Sequence, residues 1–205
     1  MLPGMKVINL KTADIREIRK KLEKSLDSKR YEHTLGVAYT ASALAMCNHE
    51  NMDNALVAGL LHDCAKCLSN KKRISICEKN HIPITEIERE NPFLLHAKAG
   101  CYLAEKQFRI HDKDILNAIL YHTTGRPQMS QLEKIIYIAD YIEPGRKHAA
   151  NLPEVRQMAF QDLDRALIQI LGDILGHLES GDTLIDPMTK KTYDYYVNAQ
   201  KAAQK

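Results

Sequence analysis

Residues 55–66 read ALVAGLLHDCAK. A strongly apolar run of helical character ends on His62 and Asp63. An imidazole or a carboxylate buried among leucines costs several kcal/mol unless something satisfies it. The fold and the chemistry of the chain both turn on what could satisfy this pair.

The same conflict recurs on either side. His33 lies inside YEHTLGVAYTASALAMCNHEN (31–51), a stretch rich in small residues that let helices approach closely, which reads as a central buried helix. His96 opens a helix after two leucines in LLHAKAGCYLAEKQF (94–108), His122 ends ILNAILYH (115–122), and Asp140 sits within IIYIAD (135–140). Taken singly, a helical histidine on an apolar face is ordinarily a satisfied core residue, and Asp140 reads as a carboxylate bonded to a backbone donor. As a set, four imidazoles and two carboxylates on helices that can converge point to a metal.

The chain carries its own control. With nine histidines and thirteen aspartates in 205 residues, chance supplies about 0.6 of a His-Asp pair, so the dipeptide alone says little. The second pair, His111-Asp112, follows a polar break and precedes a helix, where Asp112 reads as an N-cap. His62-Asp63 instead follows an apolar helix.

Helical punctuation covers almost the whole chain. Thr12 is placed to cap a helix through about Arg30, with Ile15, Ile18, Leu22 and Leu26 on one stripe. Asp53 is expected to cap the helix in NALVAGLLHDCAK (54–66), and Ser69 the one in SNKKRISICEKN (69–80). Pro83, Asn91 and Pro92 mark an irregular connection. Asp112 or Asp114 opens KDILNAILYHTT (113–124), which Gly125, Arg126 and Pro127 end. Ser130 with Glu133 forms a capping box for SQLEKIIYIADYI (130–142), stopped by Pro144 and Gly145. Pro153 suits the first turn of a long helix over 153–179, and a short helix closes the chain. Alternation in TLIDPMTKKTYDYYV (183–197) is too broken for a strand. The expected fold is all-α: one domain of about eight to ten helices over residues 12–195, with tails at 1–11 and 196–205.

Composition narrows the class. Hydrophobic residues are 44% and charged residues 27%, which is globular composition. The 29 Lys and Arg against 26 Asp and Glu leave a net charge of +3, too small and dispersed for a nucleic-acid binder. No apolar run is long enough to span a bilayer, and the N-terminus lacks a secretory apolar region, so no membrane partner is expected. Five cysteines without a secretory signal read as reduced thiols in a cytoplasmic protein. Cys64 and Cys67 form a single CxxC with no second pair, inside a helix, and read as small packed thiols.

The ordered set His33, His62-Asp63, His96, His122 and Asp140 resembles the HD-domain metal-dependent phosphohydrolases. RYEHTLGVA, AGLLHDCAK, HAKAG and YHTTGRPQMSQLEKIIYIADYIEPGR narrow the resemblance to the bacterial YqeK-type branch. These are the symmetrical bis(5′-nucleosyl)-tetraphosphatases, which split diadenosine tetraphosphate into two ADP. The likeness runs from about Arg30 to Tyr193. It implies a helical bundle around a dinuclear site: His33, His62 and Asp140 on one ion, Asp63 bridging, and His96 and His122 on the other. Mixed imidazole and carboxylate ligands suit two divalent transition metal ions, with manganese, cobalt or zinc open and iron favoured by the family. Such a pair activates water as hydroxide for attack on phosphorus.

A polyphosphate substrate calls for cations. Lys66 lies one turn after His62, Arg126 just past His122, and Arg146 six residues after Asp140; these are expected to grip phosphate oxygens, the arginines bidentately. Thr123, Thr124 and Gly125 offer hydroxyl and backbone donors, and Glu143 is placed to orient Arg146 or a bound water. His49, His81, His148 and His177 fall outside the pattern, and Tyr193, Tyr195 and Tyr196 read as packing for the last segment. The helix over 153–179 is long enough to offer a homodimer face or to complete the monomer core. The rival readings are another HD-domain nucleotide phosphohydrolase, or a binding module that senses nucleotides around a structural metal.

Overall fold

The computed structural model describes residues 12–147, 149–181 and 185–203, so the N-terminal segment 1–11 and His148 lie outside the described residues. The described residues form eleven α-helices and one 3-10 turn, without a strand. The count exceeds the expected ten because one run that reads as continuous divides in two and a short helix forms within the stretch expected to be irregular, while Asp27 shifts the boundary between the first two helices. α1 (Thr12–Ser25) ends before Asp27, whose side chain accepts the Arg30 N–H at 2.8 Å and opens α2 (Ser28–Cys47). The expected long helix over 153–179 divides into α9 (Leu152–Ala159) and α10 (Leu163–Ser180), the latter capped by Asp162 on the Arg165 N–H at 3.0 Å. A carboxylate that satisfies an orphan amide outcompetes continuation of the helix.

The other caps are local chemistry of the same kind. α3 (Met52–Leu61) is capped by Asn51, not Asp53, which sits in the first turn where its charge suits the helix dipole. Ser69 caps α4 (Asn70–Lys79), and a Thr85–Glu88 capping box starts α5 (Glu86–Glu90) within the stretch expected to be irregular. A 3-10 turn, Pro92–Leu95, leads into α6 (His96–Gln107). Asp112 caps α7 (Lys113–Tyr121), accepting from Asp114 and Ile115. Ser130 caps α8 (Gln131–Ile142), but Glu133 does not return the bond; its buried carboxylate accepts from Arg126 Nη2 at 2.7 Å.

α11 (Pro187–Ala203) is longer than the short closing helix expected and continues past residue 195. Thr189, Thr192 and Tyr196 are buried along one stripe, and the Tyr196 hydroxyl accepts the Met129 N–H at 2.9 Å. That stripe has helical spacing, which explains why the alternation over 183–197 makes no strand.

α8 is the centre of the bundle, packed against α2, α7 and α10. Its Leu132, Ile135, Ile136 and Ile138 are fully buried. α2 and α3 pack closely, and small residues are buried on both: Ala38, Ala41 and Ala45 on α2, Ala55, Ala58 and Gly59 on α3. A Cβ on Gly59 would lie 2.6 Å from the Ala38 Cα, so this glycine sets how closely the helices approach. The apolar face of α10, including Ala166, Leu167, Ile170 and Leu171, lies inside this core, so the helix completes the core of the chain. No described helix is long and apolar enough to cross a membrane.

Gly59→Ala forces a methyl group into the backbone of α2 and lowers stability by about 1–3 kcal/mol. Gly176→Ala on α10, whose Cβ would meet nothing within 4 Å, raises it by about 0.4–1 kcal/mol. Thermal melts of the two variants beside the parent check both signs.

Candidate metal centre

The six residues singled out in the sequence come together. His33 projects from α2 and Asp140 from α8; His62 and His122 are the C-caps of α3 and α7, Asp63 follows His62, and His96 is the first residue of α6. Helix ends bring four of the six side chains to one place, where a mid-helix residue reaches only its own face.

The same ends fix the rings. Nδ1 of His62, His96 and His122 lies 2.7 Å from the carbonyl oxygen three residues earlier, of Gly59, Phe93 and Ile119. A carbonyl only accepts, so each Nδ1 carries the proton and donates it, and each Nε2 is left as a lone pair turned inward. His33 Nδ1 donates instead to Glu143 Oε1 at 3.0 Å. Gly36, one turn along α2 from His33, makes that possible, since a Cβ there would sit 2.6 Å from Glu143 Oε2.

The inward atoms are nearly all acceptors. His96 and His122 face each other Nε2 to Nε2 at 3.1 Å. Asp63 Oδ1 stands 3.3 Å from His96 Nε2 and 3.6 Å from His122 Nε2, while Oδ2 stands 3.5 Å from His62 Nε2 and 3.9 Å from His33 Nε2. Asp140 Oδ1 lies 3.1 Å from His33 Nε2 and 3.9 Å from His62 Nε2. Buried His33 Nε2, His62 Nε2 and Asp63 Oδ1 have no hydrogen-bond donor. Acceptors packed face to face without donors are unfavourable unless cations lie between them. Three groupings bring their ligand atoms within 4.8 Å of one another: His33-His62-Asp63, Asp63-His96-His122, and His62-His122-Asp140. The donor set fits divalent ions, and the first two groupings share Asp63 with one oxygen turned to each. Cys64 and Cys67 belong to none of them; Cys64 is buried against the Gly100 carbonyl and Cys67 Sγ donates to Asp27.

Cationic side chains lie against several of these acceptors. Arg30 Nη1 lies 2.7 Å from Asp63 Oδ2, Lys66 Nζ lies 3.0 Å from His96 Nε2, and Arg146 Nη2 lies 2.5 Å from Asp140 Oδ1. Burial, with Lys66 and His122 alongside, holds the His96 pKa down to about 3, so the ring is a neutral donor of electrons. Burial likewise lowers Lys66, although Asp63 pulls it back.

Two cavities adjoin the cluster. One, of about 380 Å³, is bounded by His122 and Asp140 together with Thr123, Thr124, Tyr137 and Arg146. The expected phosphate residues divide accordingly. Lys66 is inside the cluster and Arg146, Thr123 and Thr124 are at the cavity. Arg126 is not brought there: Glu133 holds its guanidinium, which also lies over the Tyr121 ring. Gly125 adopts φ +62° and its N–H donates to the Tyr121 carbonyl at 2.8 Å, which ends α7 and leaves no free donor. Glu143 orients His33, not Arg146, and its Oε2 accepts the Gly145 N–H at 2.5 Å. Sequence reasoning passed over Arg30, whose signal was its place one turn before His33, and Arg156, which ties the turn carrying Arg146 through the carbonyls of Ile142, Glu143 and Arg146.

The chain is similar to known proteins. Residues 30–145 match the HD domain family. A Bacillus subtilis protein named symmetrical bis(5′-nucleosyl)-tetraphosphatase is 38% identical over 177 residues, 86% of this chain and 94% of its own. A Staphylococcus aureus protein of the same name is 32% identical over 185 residues, 89% and 94% of the two chains. A Clostridium acetobutylicum crystal structure, described as a predicted HD superfamily hydrolase involved in NAD metabolism, superposes with a TM-score of 0.87 at 42% identity, covering 90% of this chain and 97% of the other. With the ordered histidines and aspartates gathered at one site and the likeness spanning most of its length, the chain belongs to the HD domain family.

Proposed function

We propose that this chain hydrolyses diadenosine tetraphosphate symmetrically, releasing two ADP. The observation that carries the reading is the split of the Asp63 carboxylate, with Oδ2 toward His33 and His62 and Oδ1 toward His96 and His122. On this reading His33, His62 and Asp140 would hold one divalent ion and His96 and His122 the other, with Asp63 a ligand common to both. Two such ions lower the pKa of water and neutralise phosphate charge. Iron is the favoured metal and a reducing cytoplasm the expected setting; all five cysteines are free thiols.

The protein's own groups do the remaining work. Arg146 and Lys66 bind phosphate oxygens next to the cluster, and Arg30, 2.7 Å from Asp63, joins them. Arg156 keeps the Arg146 turn in place. Glu143 and the three helix-end carbonyls hold the imidazoles by Nδ1, so that no ring can turn its protonated edge inward. The P–O bond between the second and third phosphates breaks; water oxygen stays on one ADP, the bridging oxygen leaves with the other, and the water's protons pass to product and solvent. No side chain needs to form a covalent intermediate. The adjoining cavity has hydroxyl and aromatic walls suited to one nucleoside.

With ferrous or manganous ion, the purified protein is expected to convert diadenosine tetraphosphate to ADP alone; AMP with ATP among the products would contradict symmetrical cleavage. Asp63→Ala removes a ligand common to both groupings and is expected to abolish turnover and lower bound metal while the helical circular dichroism persists. His111→Ala, next to a cap and remote from the cluster, leaves activity intact. Glu143→Ala frees the His33 ring and weakens metal binding about 10–100-fold, which a metal titration followed by elemental analysis measures.

A further inference from the structure

We infer that the cavity between the first turns of α2 and the Glu143–Arg146 turn is a second nucleotide subsite, which takes the other ADP half of the substrate. The inference rests on the hydrolase reading and deepens it. A symmetrically cleaved dinucleoside tetraphosphate has a nucleoside at each end and its scissile bond in the middle, so an enzyme that grips both ends needs two cavities flanking the reacting centre. The structure has them. The first reaches the cluster through His122 and Asp140; the second, of about 670 Å³, reaches it through His33. Arg146 lines both, where the middle of a tetraphosphate would cross from one to the other.

Each cavity also presents an exposed aromatic ring. Phe93 on the first is 49% exposed and Tyr39 on the second is 55% exposed, two of the few large apolar side chains left open to water. A base stacked on either ring would cover it. The walls of the second cavity are cationic at the phosphate end, with Lys29, Arg30 and Arg146. Lys29 and Arg30 belong to the first turn of α2, which has no acidic residue after the Asp27 cap. Of the carboxylates there, Glu143 is turned inward onto His33 and the Gly145 N–H, leaving Glu32 at the rim.

The test compares two substrates and one product on metal-loaded enzyme. Tyr39→Ala is expected to raise KM for diadenosine tetraphosphate about tenfold, the worth of one stacked base, with kcat little changed and Tyr39→Phe restoring it. KM for adenosine 5′-tetraphosphate, whose single nucleoside can use the Phe93 cavity, should stay within about twofold of the parent. Equal losses on both substrates, or none on either, would overturn the subsite. Equilibrium dialysis with ADP reads the same question without turnover: two ADP per chain are expected for the parent and one for the Lys29→Ala, Tyr39→Ala double variant. One ADP on the parent, or two on the variant, would also overturn it. If the parent leaves diadenosine tetraphosphate intact, the hydrolase reading fails by itself, and the dialysis still decides the subsite.

Discussion

The bundle is arranged around an electrostatic deficit. His33 Nε2, His62 Nε2 and Asp63 Oδ1 are buried without a donor, and the His96 and His122 lone pairs face each other at 3.1 Å. Such a cluster is costly in a helical core made of leucine, isoleucine and alanine. It persists because each ring is held from outside, by Gly59, Phe93, Ile119 or Glu143, and because cations offset it from within. Arg30, Lys66 and Arg146 supply part of that positive charge, and divalent ions would supply the rest.

The fold serves this deficit in a particular way. Close approach of α2 and α3 through Gly59 and Ala38 brings His33 within reach of the end of α3. Burial of α8 on several sides puts Asp140 opposite. Gly36 is small because Glu143 needs the space beside it. Stability and chemistry therefore share residues, and a substitution that adds a methyl group at either glycine disturbs both.

Much of this was legible in the chain. Polar residues that interrupt apolar helices at His62-Asp63, His122 and Asp140 are conspicuous because burial without a partner is improbable, and the two His-Asp pairs separated cleanly by context. Helix boundaries were less legible. Asp27 and Asp162 look like ordinary surface acids until their side chains are seen to accept Arg30 and Arg165 amides. Direction was the least legible property. Arg126 and Glu133 lie near His122 in sequence, but they satisfy each other across the turn. Arg30, by contrast, reaches Asp63, 33 positions away. Sequence neighbours of a ligand reveal proximity along the chain, whereas a long flexible cation goes to whichever buried carboxylate it can reach.

The central claim is that the Asp63 carboxylate stands between two cations, each completed by its own pair of imidazoles. Anomalous diffraction from crystals grown with ferrous or manganous ion tests it most directly. The account predicts two peaks per chain, one between Asp63 and the His33-His62 pair and one between Asp63 and the His96-His122 pair. A single peak, or metal bound elsewhere with this cluster empty, would contradict it.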